Sequence, residues 1–404
     1  MSYSDINLRH FFSLVDISET GRLSTAAEAV SISQSAMTQA LRKVESIAGE
    51  PLFDRVGFGV IETPAGEVLI RRARRSIELL TNAERDLPGR RFRSPGNSSL
   101  YRRITASQFR ALVAIVETGG FSTAARRLGL AQPTVQRAAR ELESMVEVNL
   151  FPRAPRGVEP SDIAKSLARC ANLVFAEIQQ GLQEVWELQG RTDSRIAVGS
   201  LPLVRSNFLP TAITALLAEF PDARVRILDG PYVEQLHALR YGQIDWLIGA
   251  LRDSSPTTDV VQNPLFDQPL AVVVRPDHPL LDNDSPSAGE LAKLEWVAPR
   301  KLAPARRFFD AFFETQGEST PTRIIECSSL VATRGLLQQS DRAALLSPLQ
   351  VREDVAAGEL ATLIEAIPDS ERTIGMTTRD NWEPTMVQAR FTVIVRELAG
   401  RLTT

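Results

Sequence analysis

Apolar residues return at helical spacing in two stretches whose patterns superimpose. Ile6 to Val60 and Ile104 to Val158 align without a gap at a constant offset of 98 residues. In both, Phe, Leu, Val and Ile recur at the same places, Glu-Thr-Gly precedes Ser-Thr-Ala-Ala, and Leu-Phe-x-Arg closes the unit. A match of this length marks an internal duplication. In the second copy the spacing predicts a helix capped by Ser107, carrying Phe109, Leu112, Val113, Ile115 and Val116, and ended by Gly119-Gly120. A short helix capped by Ser122 follows through Ala124, Ala125 and Leu128, and Gly129 permits the turn after it. A third helix spans Thr134 to Val146, with Pro133 in its first turn and Val135, Ala138, Ala139 and Leu142 inward. Leu150 to Val158, rich in Gly and Pro, predicts a wing.

Small alanines let the short helix and the third helix approach closely, as a helix-turn-helix requires if its second member is to enter a major groove. The projecting face offers Gln132, Thr134, Gln136, Arg137 and Arg140, side chains able to hydrogen-bond base edges and phosphates. Helix pairs with alanines and a glycine turn also occur in proteins with no nucleic-acid role, and spacing alone leaves both readings open.

The longer pattern is more specific. Phe109, Glu117 to Gly119, Phe121-Ser-Thr-Ala-Ala, Ala131-Gln-Pro-Thr-Val, Glu141-Leu-Glu and Leu150-Phe-x-Arg together resemble the N-terminal winged helix-turn-helix of LysR-type transcriptional regulators. The first copy matches through Asn7-Leu-Arg-His-Phe, Ser33-Gln-Ser-Ala-Met-Thr, Leu52-Phe-Asp-Arg and Thr63-Pro-Ala-Gly. The resemblance implies DNA contacts at Ser33, Gln34, Ser35, Thr38, Gln39, Arg42 and Arg55 in the first copy. In the second it implies them at Gln132, Pro133, Thr134, Gln136, Arg137, Arg140, Arg153 and Arg156. The copies depart from the family in complementary ways. The first has Ser35 where Pro is usual, Gln39 where Arg is frequent, and Phe58 at the wing position that is often Arg. The second keeps Pro133, Arg137 and Arg156 but has Pro160-Ser-Asp-Ile after the wing. The second copy has the more basic reading surface and sits where the family's single unit sits.

After the first wing, Ala65 to Leu87 predicts a helix with Leu69, Ala73, Ile77, Leu80 and Leu87 near heptad spacing. Its other face holds Arg71, Arg72, Arg74 and Arg75, which reads as a solvated face close to DNA. Pro88 to Arg103 contains five arginines and no acid and reads as a flexible basic tether. A second linker helix spans Ser161 to Gln189, its seam formed by Ala164, Ala168, Ala171, Phe175, Ile178, Leu182 and Val185. In the resembled family this helix dimerises. A two-fold dimer would align reading heads with a pseudo-palindromic site.

From Arg195 the pattern changes to short apolar runs alternating with helices. Strands are expected at Ile196 to Gly199, Val225 to Leu228, Trp246 to Gly249, Leu270 to Val274, Trp296 to Ala298, Ile324 to Cys327, Ala344 to Ser347 and Thr373 to Thr377. This is a two-lobed α/β reading with a cleft at the strand ends. Phe220-Pro-Asp, Leu239-Arg-x-Gly-x-Ile-Asp-x-Leu-Ile-Gly, Pro264-Leu-Phe and Arg275-Pro-Asp-His-Pro-Leu resemble the family's effector domain, which is similar to periplasmic solute-binding proteins. The resemblance places effector contacts at Ser200, Leu203, Gly230, Tyr232, Arg300, Ser328 and Ser329. Arg300, Lys301, Arg306 and Arg307 could supply countercharge to a carboxylate or phosphate. The alternative is that the serines cap helices and the arginines lie in solvent. Ser340-Asp341-Arg342 replaces the glycine-rich turn usual in the family.

Composition changes the picture little. The net charge of −3 hides an asymmetry, with 25 Lys+Arg against 22 Asp+Glu in residues 1–193 and 21 against 27 in the remainder. Cys170 and Cys327 read as reduced structural thiols. The start has no signal-peptide core, and no apolar run of membrane-spanning length occurs, so a soluble cytoplasmic protein with no membrane contact is expected. His10, His237 and His278 are too scattered for a metal cluster or triad, and no GxSxG, Walker A or GxGxxG is present. No enzyme activity and no cofactor are expected.

The sequence therefore reads as multidomain, with two all-α winged helix-turn-helix units plus a two-lobed α/β periplasmic-binding-protein-like effector domain. The expected boundaries are 5–63 and 104–160 for the two units, 64–87 for the first linker helix, 88–103 for the tether and 161–190 for the dimerising linker helix. The effector domain spans 194–404, with lobe I at 194–274 and 371–404 and lobe II at 275–370. The expected function is sequence-specific transcriptional regulation in response to a small-molecule effector, an organic anion. The partners are double-stranded DNA, a second copy or a homotetramer, and RNA polymerase. The rival reading is a cytoplasmic solute receptor or enzyme whose helical N-terminus only assembles it.

Overall fold

The computed structural model describes residues 6–88, 99–154, 157–252, 255, 257–283, 285–301 and 303–402. The first repeat forms α1 (Leu8–Thr20), α2 (Leu23–Ala29) and α3 (Gln34–Ala48), a hairpin of β1 (Phe53–Val56) and β2 (Gly59–Glu62), and the long helix α4 (Pro64–Arg85). A single helical turn, α5 (Leu100–Arg103), leads into the second repeat. There α6 (Ala106–Thr118), α7 (Phe121–Leu128), α8 (Gln132–Val146), the short pair β3 (Arg153–Ala154) and β4 (Gly157–Val158), and α9 (Asp162–Leu188) repeat the order.

Local chemistry explains the boundaries, with two corrections to the sequence reading. α6 is capped by Thr105 in a reciprocal box with Gln108, not by Ser107. α7 starts after Gly120 in extended backbone with no side-chain cap, so Ser122 lies inside the helix. Gly119 and Gly129 close α6 and α7 in the left-handed region, and Pro133 occupies the first turn of α8.

The two repeats do not fold as separate beads. One apolar cluster runs from Ile6 to Val185 through both units and both long helices. Of the stretch read as a tether, residues 89–98 lie outside the described residues. Its end is ordered against the first unit. Leu100 is buried, Tyr101 stands edge-on to Phe12 at 6.0 Å, and Arg102 bonds Asp16 at 3.0 Å.

The seam predicted on α9 is buried except for Phe175, which is half-buried beside Phe109 of α6, and its main partner is α4 of the same chain. Arg71 meets Glu184, Arg72 reaches both Glu184 and Glu177, and Arg75 reaches Glu177. The partner recedes along α9 as α4 advances, so the helices are antiparallel. A Cβ on Gly181 would lie 3.0 Å from both Leu69 Cδ2 and Arg72 Cγ, which is why glycine sits at this crossing. Half of the arginine run therefore departs from the solvated face expected of it, while Arg71 and Arg74 stay exposed. Arg72 has no exposed side-chain surface, and Arg75 is three-quarters covered.

The C-terminal half has two five-stranded sheets. The first contains β5 (Arg195–Ser200), β6 (Arg224–Asp229), β7 (Trp246–Ala250), β8 (Val260–Gln268) and the returning β14 (Arg372–Arg379), in the order β6-β5-β7-β14-β8. Helices α10 (Phe208–Glu219), α11 (Tyr232–Arg240) and α16 (Met386–Gly400) cover it. The second sheet contains β9 (Ala271–Val274), β10 (Trp296–Ala298), β11 (Ile324–Glu326), β12 (Ala343–Leu346) and β13 (Ala361–Ile364), in the order β11-β10-β12-β9-β13. It packs on α12 (Ala288–Lys293) and α13 (Pro304–Thr315) and, on its other face, near α14 (Leu330–Gln338) and α15 (Pro348–Ala356).

β9 pairs with β12 and β13, so residues 271–274 belong to the second lobe and not to the first, where the sequence boundary put them. β8 was absent from the sequence reading because Pro264 interrupts it. It is tolerated there because β8 is an edge strand and its ladder with β14 shifts register beside Pro264. The chain crosses between lobes twice, from Gln268 to Ala271 and from Ile364 to Arg372.

Lobe I rests on the helix pair. Tyr241 donates to the Lys165 carbonyl at 3.2 Å, Arg169 and Arg240 converge on Asp259, and Gln180 bonds Gln388 at 3.2 Å. Arg75 reaches Glu383 at 2.9 Å, and Arg72 reaches the Glu383 carbonyl at 3.0 Å. Among the described residues no helix is long and apolar enough to cross a membrane.

Candidate nucleic-acid interface and effector cleft

Each repeat buries one face of its third helix and leaves the opposite face open. In α3, Met37, Ala40, Leu41, Val44 and Ala48 are buried, while Gln34, Ser35, Gln39 and Arg42 are exposed and Thr38 is half-buried. Ser33 caps the helix by accepting from the Ala36 amide at 3.1 Å, and its hydroxyl lies 2.9 Å from that of Ser35. These two serines therefore shape the start of the helix as well as facing outward. In α8, Val135, Ala139, Leu142, Met145 and Val146 are buried. Gln132, Pro133, Thr134, Arg137 and Arg140 are exposed, with Gln136 half-buried. Arg137 lies 3.9 Å from Glu141, a loose exposed pair that leaves the guanidinium able to turn to another partner.

The wings differ. Arg55 and Arg153 are exposed on β1 and β3. Phe58, at the tip of the first wing after Gly57 in the left-handed region, is 96% exposed. Arg156 lies outside the described residues.

The residues assigned to an effector fall into distinct environments. Ser200, at the end of β5, is buried, and its hydroxyl donates to the Leu228 carbonyl at 3.3 Å. Its backbone carbonyl accepts from Arg205 at 2.6 Å. Leu203 is 5% exposed inside the lobe I core, which makes it a packing residue and not the ligand contact expected of it. Gly230 follows β6 with φ of 155°, a conformation that favours glycine. Tyr232 opens α11, and the Arg252 guanidinium lies 3.8 Å above its ring.

On the second lobe, Arg300 and Ser328 are exposed at the ends of the adjacent parallel strands β10 and β11. Ser329 caps α14 by accepting from Ala332 at 3.3 Å. Of the other cations read as countercharge, Arg306 is taken up by Asp310 at 2.9 Å and Glu326 at 3.1 Å. Arg307 points elsewhere, into a cavity of about 290 Å³ between the lobes.

That cavity is lined by Leu251 and Arg252 after β7, Arg307 and Phe308 of α13, and Glu371 and Arg372 at the start of β14. Arg372 Nε and Nη2 are shielded from solvent and have no hydrogen-bond partner, and burial pulls its guanidinium down to about 10. A buried cation without a counter-ion is costly, and an anionic ligand relieves that cost. Arg252 and Arg372 were absent from the sequence reading. The rule that ligands gather at the carboxyl ends of parallel strands could have found Arg252. Arg372 reaches the same edge only because β14 runs antiparallel to β7.

Both cysteines are free thiols. Among the described residues no cluster of His, Cys, Asp and Glu could hold a metal ion.

These features meet in the comparisons with known proteins. The model of the bacterial regulatory helix-turn-helix protein, lysR family, matches twice, at residues 8–67 and 106–165, and the LysR substrate binding domain matches residues 189–399. The HTH-type transcriptional regulator GalR of Pseudomonas putida is 32% identical over 373 residues, covering 92% of this chain and 92% of its own. PcaQ of Agrobacterium fabrum is 27% identical over 301 residues, which is 74% of this chain but 97% of its own. The solved structures agree in fold. Full-length OxyR from Pseudomonas aeruginosa gives a TM-score of 0.54 at 22% identity, covering 75% of this chain and 96% of its own. CbnR gives 0.51 at 20% identity over 72% of this chain and 98% of its own. A DNA-reading module joined to a two-lobed effector domain is thus common to the sequence, the structure and the relatives, and the chain belongs to the LysR family of transcriptional regulators.

Proposed function

We propose that both repeats are winged helix-turn-helix units that read duplex DNA, and that the interlobe cleft takes an organic anion that changes how they do so. The observation that carries this reading is the pair of equivalent recognition faces. Both leave hydrogen-bonding side chains open on a helix whose other face is buried. Gln34, Gln39 and Arg42 in one unit and Gln132, Gln136, Arg137 and Arg140 in the other have the chemistry of base and phosphate contacts. CbnR has been solved with its target DNA, and its likeness supports the same use of the module in this chain.

The anion preference rests on Arg252, Arg307 and Arg372 around one cavity, with Tyr232 beneath Arg252. An anion bound there contacts groups from both lobes and therefore favours one arrangement of them over another. Lobe I touches α4 and α9, so a shift of the lobes reaches the reading heads through Glu383 and Asp259. Chains would associate as dimers or tetramers on the DNA and meet RNA polymerase there.

Footprinting on the DNA flanking its own gene tests the first part. Gln34→Ala/Gln39→Ala and Gln136→Ala/Arg137→Ala should each erase a different part of a long footprint. If one pair leaves the footprint untouched, that repeat does not read DNA. For the cleft, organic acids should raise the melting temperature of the wild type and not of Arg372→Gln. Stabilisation by neutral metabolites alone would refute an anionic effector.

A further inference from the structure

The helix pair between the two repeats carries information that neither helix carries alone. The offset of 98 residues continues into the linkers without a gap. Leu69, Ala73, Ile77, Leu80 and Leu87 correspond to Leu167, Ala171, Phe175, Ile178 and Val185, so the apolar seam is the same on both helices. The charges are not. Arg72 corresponds to Cys170 and Arg75 to Leu173, while Glu177 corresponds to Leu79 and Glu184 to Asp86.

In the fold these diverged positions meet. Arg72, with no side-chain exposure, donates to Glu177 at 2.8 Å and to Glu184, and its Nη2 also reaches the Glu383 carbonyl at 3.0 Å. Glu177 is 9% exposed in its side chain and is held by Arg75 as well. Burial draws the Arg72 guanidinium down, the two carboxylates outweigh it, and the net direction is upward.

Consider two copies of α9 packed in this same antiparallel register. Glu177 would face Cys170 and Leu173, a buried carboxylate without a cation. Two copies of α4 would set Arg72 against Leu79 and Asp86. The α9 pair loses its cations altogether and the α4 pair keeps one acid, Asp86, of the two that Arg72 has here, while the seam gives no preference either way. The charge pattern thus selects α4 with α9 and disfavours each helix with itself.

We propose that one chain is by itself a two-headed reader of DNA, its heads set by the heterotypic α4–α9 pair within the chain. The linker helix is then not the surface through which copies associate. The pairing stands independently of any DNA contact, and its consequence for recognition rests on the proposal that both repeats read bases. PcaQ aligns over 97% of its own length but only 74% of this chain, and in this chain the duplicated unit supplies a second linker helix.

A cysteine crosslink in the full-length chain tests the pairing, in a Cys170→Ala/Cys327→Ser background. A Cβ at 181 lies 3.3 Å from the Arg72 Cβ, just short of the usual disulfide separation of roughly 3.5–4.5 Å, so a small outward shift of either helix brings the pair into range. Arg72→Cys/Gly181→Cys is therefore one variant. Leu69→Cys/Gly181→Cys retains Arg72 and serves if the first does not fold. Mild oxidation should give a bond within one chain, seen as a monomer of increased mobility on a non-reducing gel, to the same extent at every protein concentration. A covalent dimer would show α4 of one copy on α9 of another and overturn the proposal. So would failure of both folded variants to crosslink.

The oxidised monomer should protect both parts of the footprint. Protection of one part only would remove the two-headed consequence. Loss of all DNA binding by a crosslinked chain, with the uncrosslinked background protein equally inactive, would instead count against the base-reading assignment. A charge exchange gives a second readout. Arg72→Glu and Glu177→Arg should each lower the melting temperature, and the double variant should recover part of the loss. No recovery would remove the charge argument.

Discussion

The two repeats share a core and differ at their surfaces. Positions that pack, such as Phe11 and Phe109, Ala26-Ala27 and Ala124-Ala125, or Leu41 and Ala139, stay apolar in both units and stay buried. Positions that meet something else have moved apart. The first unit presents Ser35, Gln39 and Phe58 to solvent, the second Pro133, Arg137 and more cations around them. The first linker carries buried arginines and the second buried carboxylates, at different positions of the repeat, and those faces meet. A duplicated fold is held by its interior, so its outer faces are free to specialise, one toward DNA and one toward its twin.

The sharpest way to break this comparison is at the linkers. Arg72→Ala leaves Glu177 and Glu184 buried without their cation and should cost about 3–5 kcal/mol. Cys170→Ala, at the equivalent position, removes one buried sulfur and should cost on the order of 1 kcal/mol. Urea unfolding of the full-length chain measures both, and equal losses would mean that the two helices have not specialised.

At the reading heads the expected effect is smaller. Gln136→Ala/Arg137→Ala should weaken binding to the cognate site by roughly 1–3 kcal/mol, with Gln34→Ala/Gln39→Ala at the lower end of that range. Fluorescence anisotropy with a labelled duplex ranks them, and the reverse order would make the first unit the main reader. Smaller again is the wing. Phe58→Arg should raise affinity and steepen the dependence on salt by about one counterion in the log–log slope. An unchanged slope would show that the first wing does not approach a phosphate.

The least energetic comparison is chemical. Burial pushes the Cys170 thiol up to about 12, whereas Cys327 is half-buried beside Ser329. A thiol reagent should modify Cys327 in the folded chain and reach Cys170 only on unfolding. Equal rates would contradict the closed seam on α9.

Much of this was legible in the residues because repetition and periodicity survive without knowledge of the fold. The third helix of each repeat, both linkers and eight strands lie where apolar spacing places them. What escaped depended on neighbours far away in sequence. β8 was hidden by Pro264, acceptable only at a sheet edge. β13 is half-buried along its length and shows no alternation to read. The caps of α6 and α7 each lie two residues before the expected serines, because Ser107 and Ser122 are as good in isolation as the positions used. Arg72 and Arg75 of α4 read as part of a solvated face because their acids lie more than 100 residues further on. In the cleft, Arg372 is indistinguishable from any surface arginine until β14 returns to the first sheet.

The α4–α9 pair also bears on direction. Two identical heads related by a two-fold axis see the same sequence from either side, so the complex has no front or back along the duplex. On the proposal that both repeats read bases, two unlike heads held by one helix pair read a different word at each end. A chain built this way carries polarity, and the strand on which its site is written decides which way its effector domain faces relative to a neighbouring promoter.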